Sequence, residues 1–169
     1  GWELHCRYEH GLALWDTLYA EGVTPVGVET YANSRRLEKS LRLQNADLLT
    51  EYNLLEADLA RPRVKGADFH GKEAHLAQRE LPHQSAYLCT LTLQNNVDAN
   101  GVARYPVGSW PILDSQTNEV LIDAKGRRSY VTSIAYGPSV GKNIALAYLP
   151  YEYSKVGQEL VMEYFNEPF

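Results

Sequence analysis

At 169 residues, with 44% hydrophobic and 22% charged content, the chain has the make-up of one ordinary globular domain or two small ones. A net charge of -5, with Arg35-Arg36 and Arg127-Arg128 as the only basic cluster pairs, argues against a nucleic-acid partner, because counterion release needs clustered cations. No apolar run approaches the roughly 18 residues that cross a bilayer. Two scattered cysteines and no targeting segment point to a reducing cytoplasm.

The opening "GWELHC" has strand character without a lead-in, and the chain stops at "YFNEPF" after another such run, so a piece of a longer polypeptide is expected. In "YEHGLALWDTLYAEG", Leu12, Trp15 and Tyr19 recur at helical spacing, and Gly22 reads as the glycine that closes the helix. A second helix is expected over roughly 28 to 43, with Leu37 and Leu41 one turn apart and Tyr31 near its start. Arg35 and Arg36 read there as i,i+4 partners on a helix face, or as anion contacts. From "NADLLTEYNLLEADLARPRV" the period blurs into a loop with a short strand, and "DFHGKEAHLAQRE" is a short helix after a turn at Gly71.

After Pro82 the character changes. "SAYLCTLTL", "EVLIDA", "RSYVTSIAYG", "NIALAYLP" and "ELVMEYF" are short β-prone runs separated by Gly, Pro, Asn and Asp. The fold class is therefore α+β, with residues 83–169 forming their own antiparallel barrel or sandwich. Cys89 is expected to be a small buried hydrophobe, Trp2, Trp15 and Trp110 to be core, and Tyr148, Tyr151, Tyr153 and Tyr164 to pack the barrel.

Two site motifs fail on spacing. His70 and His75 lie five apart, which puts them on different helix faces, and there is no H-E-x-x-H, so no metal is expected. "GPSVGKN" at 137–143 has three residues between its glycines and Asn143 where a phosphate loop needs Ser or Thr, so it reads as a turn between strands.

"GWEL", "LWDTL", "SRRLEKSLRL", "LLEADL", "DFHGKEA" and "VTSIAYGPSVGKNIALAYLP" occur in that order. Together they resemble the tetrahydrofolate-dependent aminomethyltransferase family, the glycine cleavage T-protein and its relatives. Those relatives include the C-terminal parts of dimethylglycine and sarcosine dehydrogenases and the folate-dependent demethylases. The resemblance covers nearly the whole chain. It implies tetrahydrofolate as cofactor. It also implies that residues 1–82 are the later part of a folate-binding domain and residues 83–169 the C-terminal β-barrel, with the family's opening half absent.

The departures point to one branch. T-proteins commonly read "ARDSLRLEAG" where this chain reads "YANSRRLEKS", which puts Ala32 in place of their arginine and Tyr31 just before it. Asp58 stands where "P-x-EAGL" has glycine. The branch most similar is the O-demethylases of methoxylated aromatic acids, of the vanillate and syringate type. The resemblance implies that Tyr31 is their proton donor and that a methoxylated aromatic acid is the small-molecule substrate. A phenol hydrogen-bonded to the ether oxygen protonates the departing phenolate, help worth roughly 10²–10⁴-fold. Both groups titrate near about 10, so the transfer is close to thermoneutral. Taken by itself, Tyr31 also reads as a packing aromatic at a helix start. Glu3, in the family's G-E-x-G-x-E phrase, is the candidate acceptor for the paired N–H donors of a pterin, and Tyr52 a candidate wall of the folate cavity. An enzyme taking one-carbon units from an amine, and a non-catalytic folate-binding protein, are the alternatives.

Overall fold

The computed structural model describes residues 2–169. A 3₁₀ turn at Tyr8–His10 leads into α1, Gly11–Ala20. A π-helix at Thr30–Arg35 runs into a single α-turn, α2, Arg36–Glu38, and α3 is Lys72–Arg79. Six strands follow: β1 Ala86–Thr92, β2 Ile112–Asp114, β3 Val131–Gly137, β4 Lys142–Pro150, β5 Leu160–Tyr164 and β6 Glu167–Pro168. They form two antiparallel sheets, ordered β1-β4-β3 and β2-β5-β6. Backbone bonds from Ser109 N to Val131 O (2.6 Å), Val131 N to Trp110 O (2.8 Å) and Ile112 N to Ser129 O (3.0 Å) join the sheets edge to edge. Among the described residues no helix is long and apolar enough to cross a membrane.

The central strand β4 explains the rest. Its residues from Ile144 to Pro150 are all buried, as a strand covered on both faces must be. Ala145, Ala147 and Leu149 point into the main core with Ile112, Leu121, Val131, Met162 and Tyr164. The alternate residues point the other way: Ile144 and Leu146 pack on Leu37, and Tyr148 packs on Ala57 and Ala86. This period-2 alternation fixes the segment from Leu37 to Ala57 against the outer face of the sheet. Leu37, 1% exposed, is the anchor of α2.

Several expectations hold in detail. α1 ends at Ala20 with Gly22 at φ 83, and α3 starts after Gly71 at φ 82, conformations that cost glycine nothing. Residues 137–141 form the turn between β3 and β4, closed by Gly141 N to Gly137 O at 2.8 Å. A Cβ on Gly137 would meet Ile144 Cδ1 at 2.5 Å and Glu38 Cγ at 3.2 Å. Gly137→Ala is therefore expected to cost about 1–3 kcal/mol, read as a lower denaturant midpoint. The same shift loosens Glu38, whose carboxylate accepts from Ser139 N at 2.7 Å and Ser139 Oγ at 3.0 Å.

Others are corrected. Of the strand expected over "GWELHC", Gly1 lies outside the described residues and residues 2–6 form none, since among the described residues no neighbouring strand pairs with their backbone groups. Trp2 and Trp15 are 97% and 54% exposed rather than core, whereas Trp110 packs edge-on against Tyr164 with ring centroids 4.8 Å apart. Tyr164 is buried in the main core as barrel packing requires, but Tyr148 is buried on the outer face of β4 against Ala57 and Ala86, and Tyr151 is 39% exposed. The helix expected over 28–43 starts as expected but runs only from 28 to 38, its middle wound as the π-turn Thr30–Arg35 where the Arg36 Nε–H donates to the Ala32 carbonyl, and Ser40 at φ 51 follows its end. "EVLIDA" gives only isolated bridges at Val120 and Ile122, because Asp114 and Asp123 set turns on either side of it.

Candidate functional site

Two buried carboxylates organise the region between the helical segment and the barrel. Asp47, fully buried, accepts from Arg36 Nη1 at 2.9 Å, the Leu43 N–H at 2.8 Å and Thr132 Oγ1 at 2.5 Å. Arg36 also donates to Ser133 Oγ at 2.8 Å and to the Leu41 carbonyl at 3.1 Å. Of the two expectations for Arg36, an i,i+4 partner on its helix or an anion contact, both are met in part: it bonds the Ala32 carbonyl four residues back, and its side chain, 10% exposed, reaches the buried Asp47 carboxylate.

Glu56 is the second. Its Oε1 accepts from Arg127 Nη2 at 2.5 Å and Lys125 Nζ at 3.1 Å, and its Oε2 from the Asn53 N–H at 3.0 Å. Arg127 also donates to Asp123 Oδ2 at 2.7 Å. Burial alone would raise both carboxyl groups, but the Arg127 guanidinium and the backbone N–H donors outweigh it and hold Glu56 and Asp123 below their ordinary values. Arg127 and Lys125 with Glu56 and Asp123 form one charge-compensated unit.

The sign of the pH dependence follows. Both carboxyl groups titrate lower when folded than the 4.5 and 3.8 they have when free, so the stability they contribute is complete above those values. It is lost as pH falls through the lowered folded values. A thermal midpoint that is flat near neutrality and falls steeply below about pH 4 is expected, with a shallower fall in Glu56→Gln.

The two carboxylates are linked by stacked aromatics. The Tyr52 and Tyr148 rings are parallel at 3.5 Å, and the Arg127 guanidinium lies 4.2 Å from the Tyr52 centroid. The Tyr148 hydroxyl donates to the Asp47 carbonyl at 2.8 Å, and burial beside Asp47 and Glu56 pushes it up to about 12. Burial raises Tyr52 as well. These rings form one wall of a concavity of about 420 Å³ whose lining also includes Gln44, Asn45, Leu48 and Asn53, with no charged side chain. Neutral amides beside aromatic and leucine surface suit a partly apolar ring system.

Tyr31 stands on the π-helix, 78% exposed, with no hydrogen bond to its hydroxyl among the described residues. Glu3 is exposed, its Oε2 3.3 Å from His5 Nε2. Neither lines the concavity, whereas Tyr52 does. Cys89 packs against the main core, and burial raises its thiol to about 11. Sequence reasoning missed Asp47, Glu56 and Arg127. Acids flanked by leucines, in "NADLL" and "NLLEADL", were the available signal, since such positions are buried only with a partner.

The ends of the chain match two family models: the "GCVT N-terminal domain" over residues 1–63 and the "Glycine cleavage T-protein C-terminal barrel domain" over residues 108–169. The human mitochondrial dimethylglycine dehydrogenase is 30% identical over 100% of this chain and 18% of its own length. The aminomethyltransferase of Thermosynechococcus vestitus is 32% identical over 96% of this chain and 40% of its own length. The chain therefore spans about two fifths of such aminomethyltransferases and under one fifth of the dehydrogenase. The solved glycine cleavage system aminomethyltransferase T from Bartonella henselae shares the fold over 95% of this chain, with TM-score 0.73 and 23% identity. With both ends accounted for, the chain belongs to the glycine cleavage T-protein family, a family that binds tetrahydrofolate.

Proposed function

We propose that the polypeptide carrying this chain transfers one-carbon units to tetrahydrofolate from an amine donor. The observation that carries this reading is the pair of relative classes matching 96–100% of the chain, both named for amine chemistry: aminomethyltransferases and dimethylglycine dehydrogenases. In this reading residues 1–82 are the later part of a folate-binding unit and residues 83–169 its barrel.

The chain's donor set fits tetrahydrofolate. The Glu3 carboxylate is 87% exposed, and among the described residues its one charged partner is the exposed His5, which suits it to the paired N–H groups of a pterin edge. Tetrahydrofolate, when bound, supplies the nitrogen that accepts the carbon. In this reading Glu3 holds the ring edge, and the wall of Tyr52, Tyr148, Gln44 and Asn53 offers a partly apolar surface to the folate. As the donor's bond to the carbon breaks, the departing nitrogen takes up a proton, and the unpartnered Tyr31 hydroxyl supplies it.

One observation favours a second reading, O-demethylation of a methoxylated aromatic acid: Ala32 replaces the T-protein arginine next to the exposed phenol of Tyr31. The test supplies the purified full-length protein with tetrahydrofolate and, separately, an aminomethyl donor, dimethylglycine with an electron acceptor, vanillate and syringate. Methylenetetrahydrofolate from an amine donor is the expected result. Methyltetrahydrofolate from the aryl ethers alone would replace the amine reading with O-demethylation, and folate binding without turnover would leave a non-catalytic binding protein.

A further inference from the structure

The concavity beside Tyr52 and Tyr148 is lined by neutral groups, but an ion pair borders it. Asp58 lies between Ala57 and Leu59, and Arg42 two residues before Gln44, and these three neighbours all belong to the lining. Arg42 Nη2 donates to Asp58 Oδ2 at 3.1 Å. Burial raises the Tyr148 phenol, and the Arg42 charge is close enough to oppose that rise, so the guanidinium lies near the tyrosine wall.

Two features set this pair apart from an ordinary surface bridge. The arginine is largely buried, with 18% of its side chain exposed, and its Nε has no hydrogen-bond partner among the described residues. Such an orphaned donor is rare in a folded chain. The aspartate that faces it is 82% exposed and reaches it from a left-handed backbone, φ 53. A pair whose acid stays in solvent is weak and readily exchanged.

We propose that Arg42 anchors the carboxylate of a flat, partly apolar acid bound in the concavity, with Asp58 as the built-in stand-in that the ligand displaces. One edge of a guanidinium presents two parallel N–H groups to two carboxylate oxygens, and this gives the orphaned Nε its acceptor. Beyond the anchor, the Tyr52 and Tyr148 rings with Leu54 and Leu59 offer apolar contact, and the amides of Gln44 and Asn53 offer polar contact. A volume of about 420 Å³ is within the usual range for small-molecule sites. A free aryl acid and the aminobenzoyl-glutamate arm of a folate both present this chemistry, and only the second source rests on the folate reading above.

The test measures binding by calorimetry in the full-length protein, with benzoate, benzamide and p-aminobenzoylglutamate as probes. An acid is expected to bind, and Arg42→Gln to weaken it by roughly 10- to 100-fold, the worth of a charge-assisted pair. Asp58→Asn, which tolerates the left-handed backbone, is expected to tighten the same acid by roughly 2- to 5-fold, because the competitor is gone. A bridge with a purely structural role gives no gain from either change. The exposed aspartate also keeps the test readable should Arg42→Gln fail to fold. Benzoate that binds beside saturating tetrahydrofolate assigns the site to a free aryl acid, and an acid displaced by tetrahydrofolate assigns it to the folate arm. Binding by neither acid, benzamide binding as well as benzoate, a folded Arg42→Gln with unchanged affinity, or Asp58→Asn without tightening would each overturn the proposal. Acid binding with these two responses in a protein that transfers no one-carbon unit would leave the site standing and remove the enzymatic reading.

Discussion

Arg127→Met is expected to destabilise the chain by about 3–5 kcal/mol, measured by equilibrium denaturation. The arginine is 11% exposed and is the main compensating charge for two carboxylates that are 0% and 2% exposed, Glu56 and Asp123. Methionine approximates its length and apolar stem, so the loss isolates the charge from the packing. What remains is Lys125, half exposed, whose ammonium reaches only one oxygen of Glu56. The substitution also removes the cation over Tyr52, and with it one side of the stack that walls the concavity. A second variant separates the penalty of a stranded charge from the worth of the pair. Glu56→Leu and Asp123→Asn combined with Arg127→Met should recover much of the lost stability, because both carboxylates stranded by the arginine's loss are then removed, and a buried ion pair gains little over uncharged residues while a broken one costs heavily. Equal destabilisation by the single and triple variants would locate the effect in lost packing instead.

Features specified locally were legible, and features specified by distant partners were not. The run "NIALAYLP" reads as a β-prone run, and β4, Lys142–Pro150, forms there; that it sends alternate residues into two cores is a product of the fold. The close of α1 at Gly22 and the turn before α3 at Gly71 are written in single glycines. The π-helix runs into Arg36, whose bonds reach Asp47, 11 residues on, and Ser133, 97 residues on. The Glu56–Arg127 pair spans 71 residues. No periodicity within a window of ordinary length encodes such contacts. The same holds for the left-handed positions: Ser40 and Asp58 adopt φ 51 and 53 without being glycine, and Asp58 pairs with Arg42 at 3.1 Å. At the candidate site the residue types could be named in advance, but that Arg36 is buried against Asp47 while Arg35 stays exposed emerges only from the fold.

Tyr31→Phe is expected to slow one-carbon transfer by about 10²–10⁴-fold while leaving folding and folate affinity unchanged. The separation is clean because of where the residue lies. Its ring is 78% exposed and its hydroxyl has no protein partner among the described residues, so deletion of one oxygen strands no buried group. Phenylalanine keeps the ring and the helical geometry, and the backbone bond from the Tyr31 N–H to the Gly27 carbonyl, at 3.2 Å, is untouched. A loss of rate with an unchanged melting temperature then reports the proton itself. The size of the loss depends on the leaving group. An amine or phenolate that departs with its electron pair needs the proton in the transition state. A donor whose leaving group is already protonated would show a loss of only a few-fold, with the reaction restored at low pH. The pH profile therefore carries the argument: with Tyr31 as donor, the basic limb of kcat should disappear in the phenylalanine variant, and a limb that persists unshifted would assign the proton to another group.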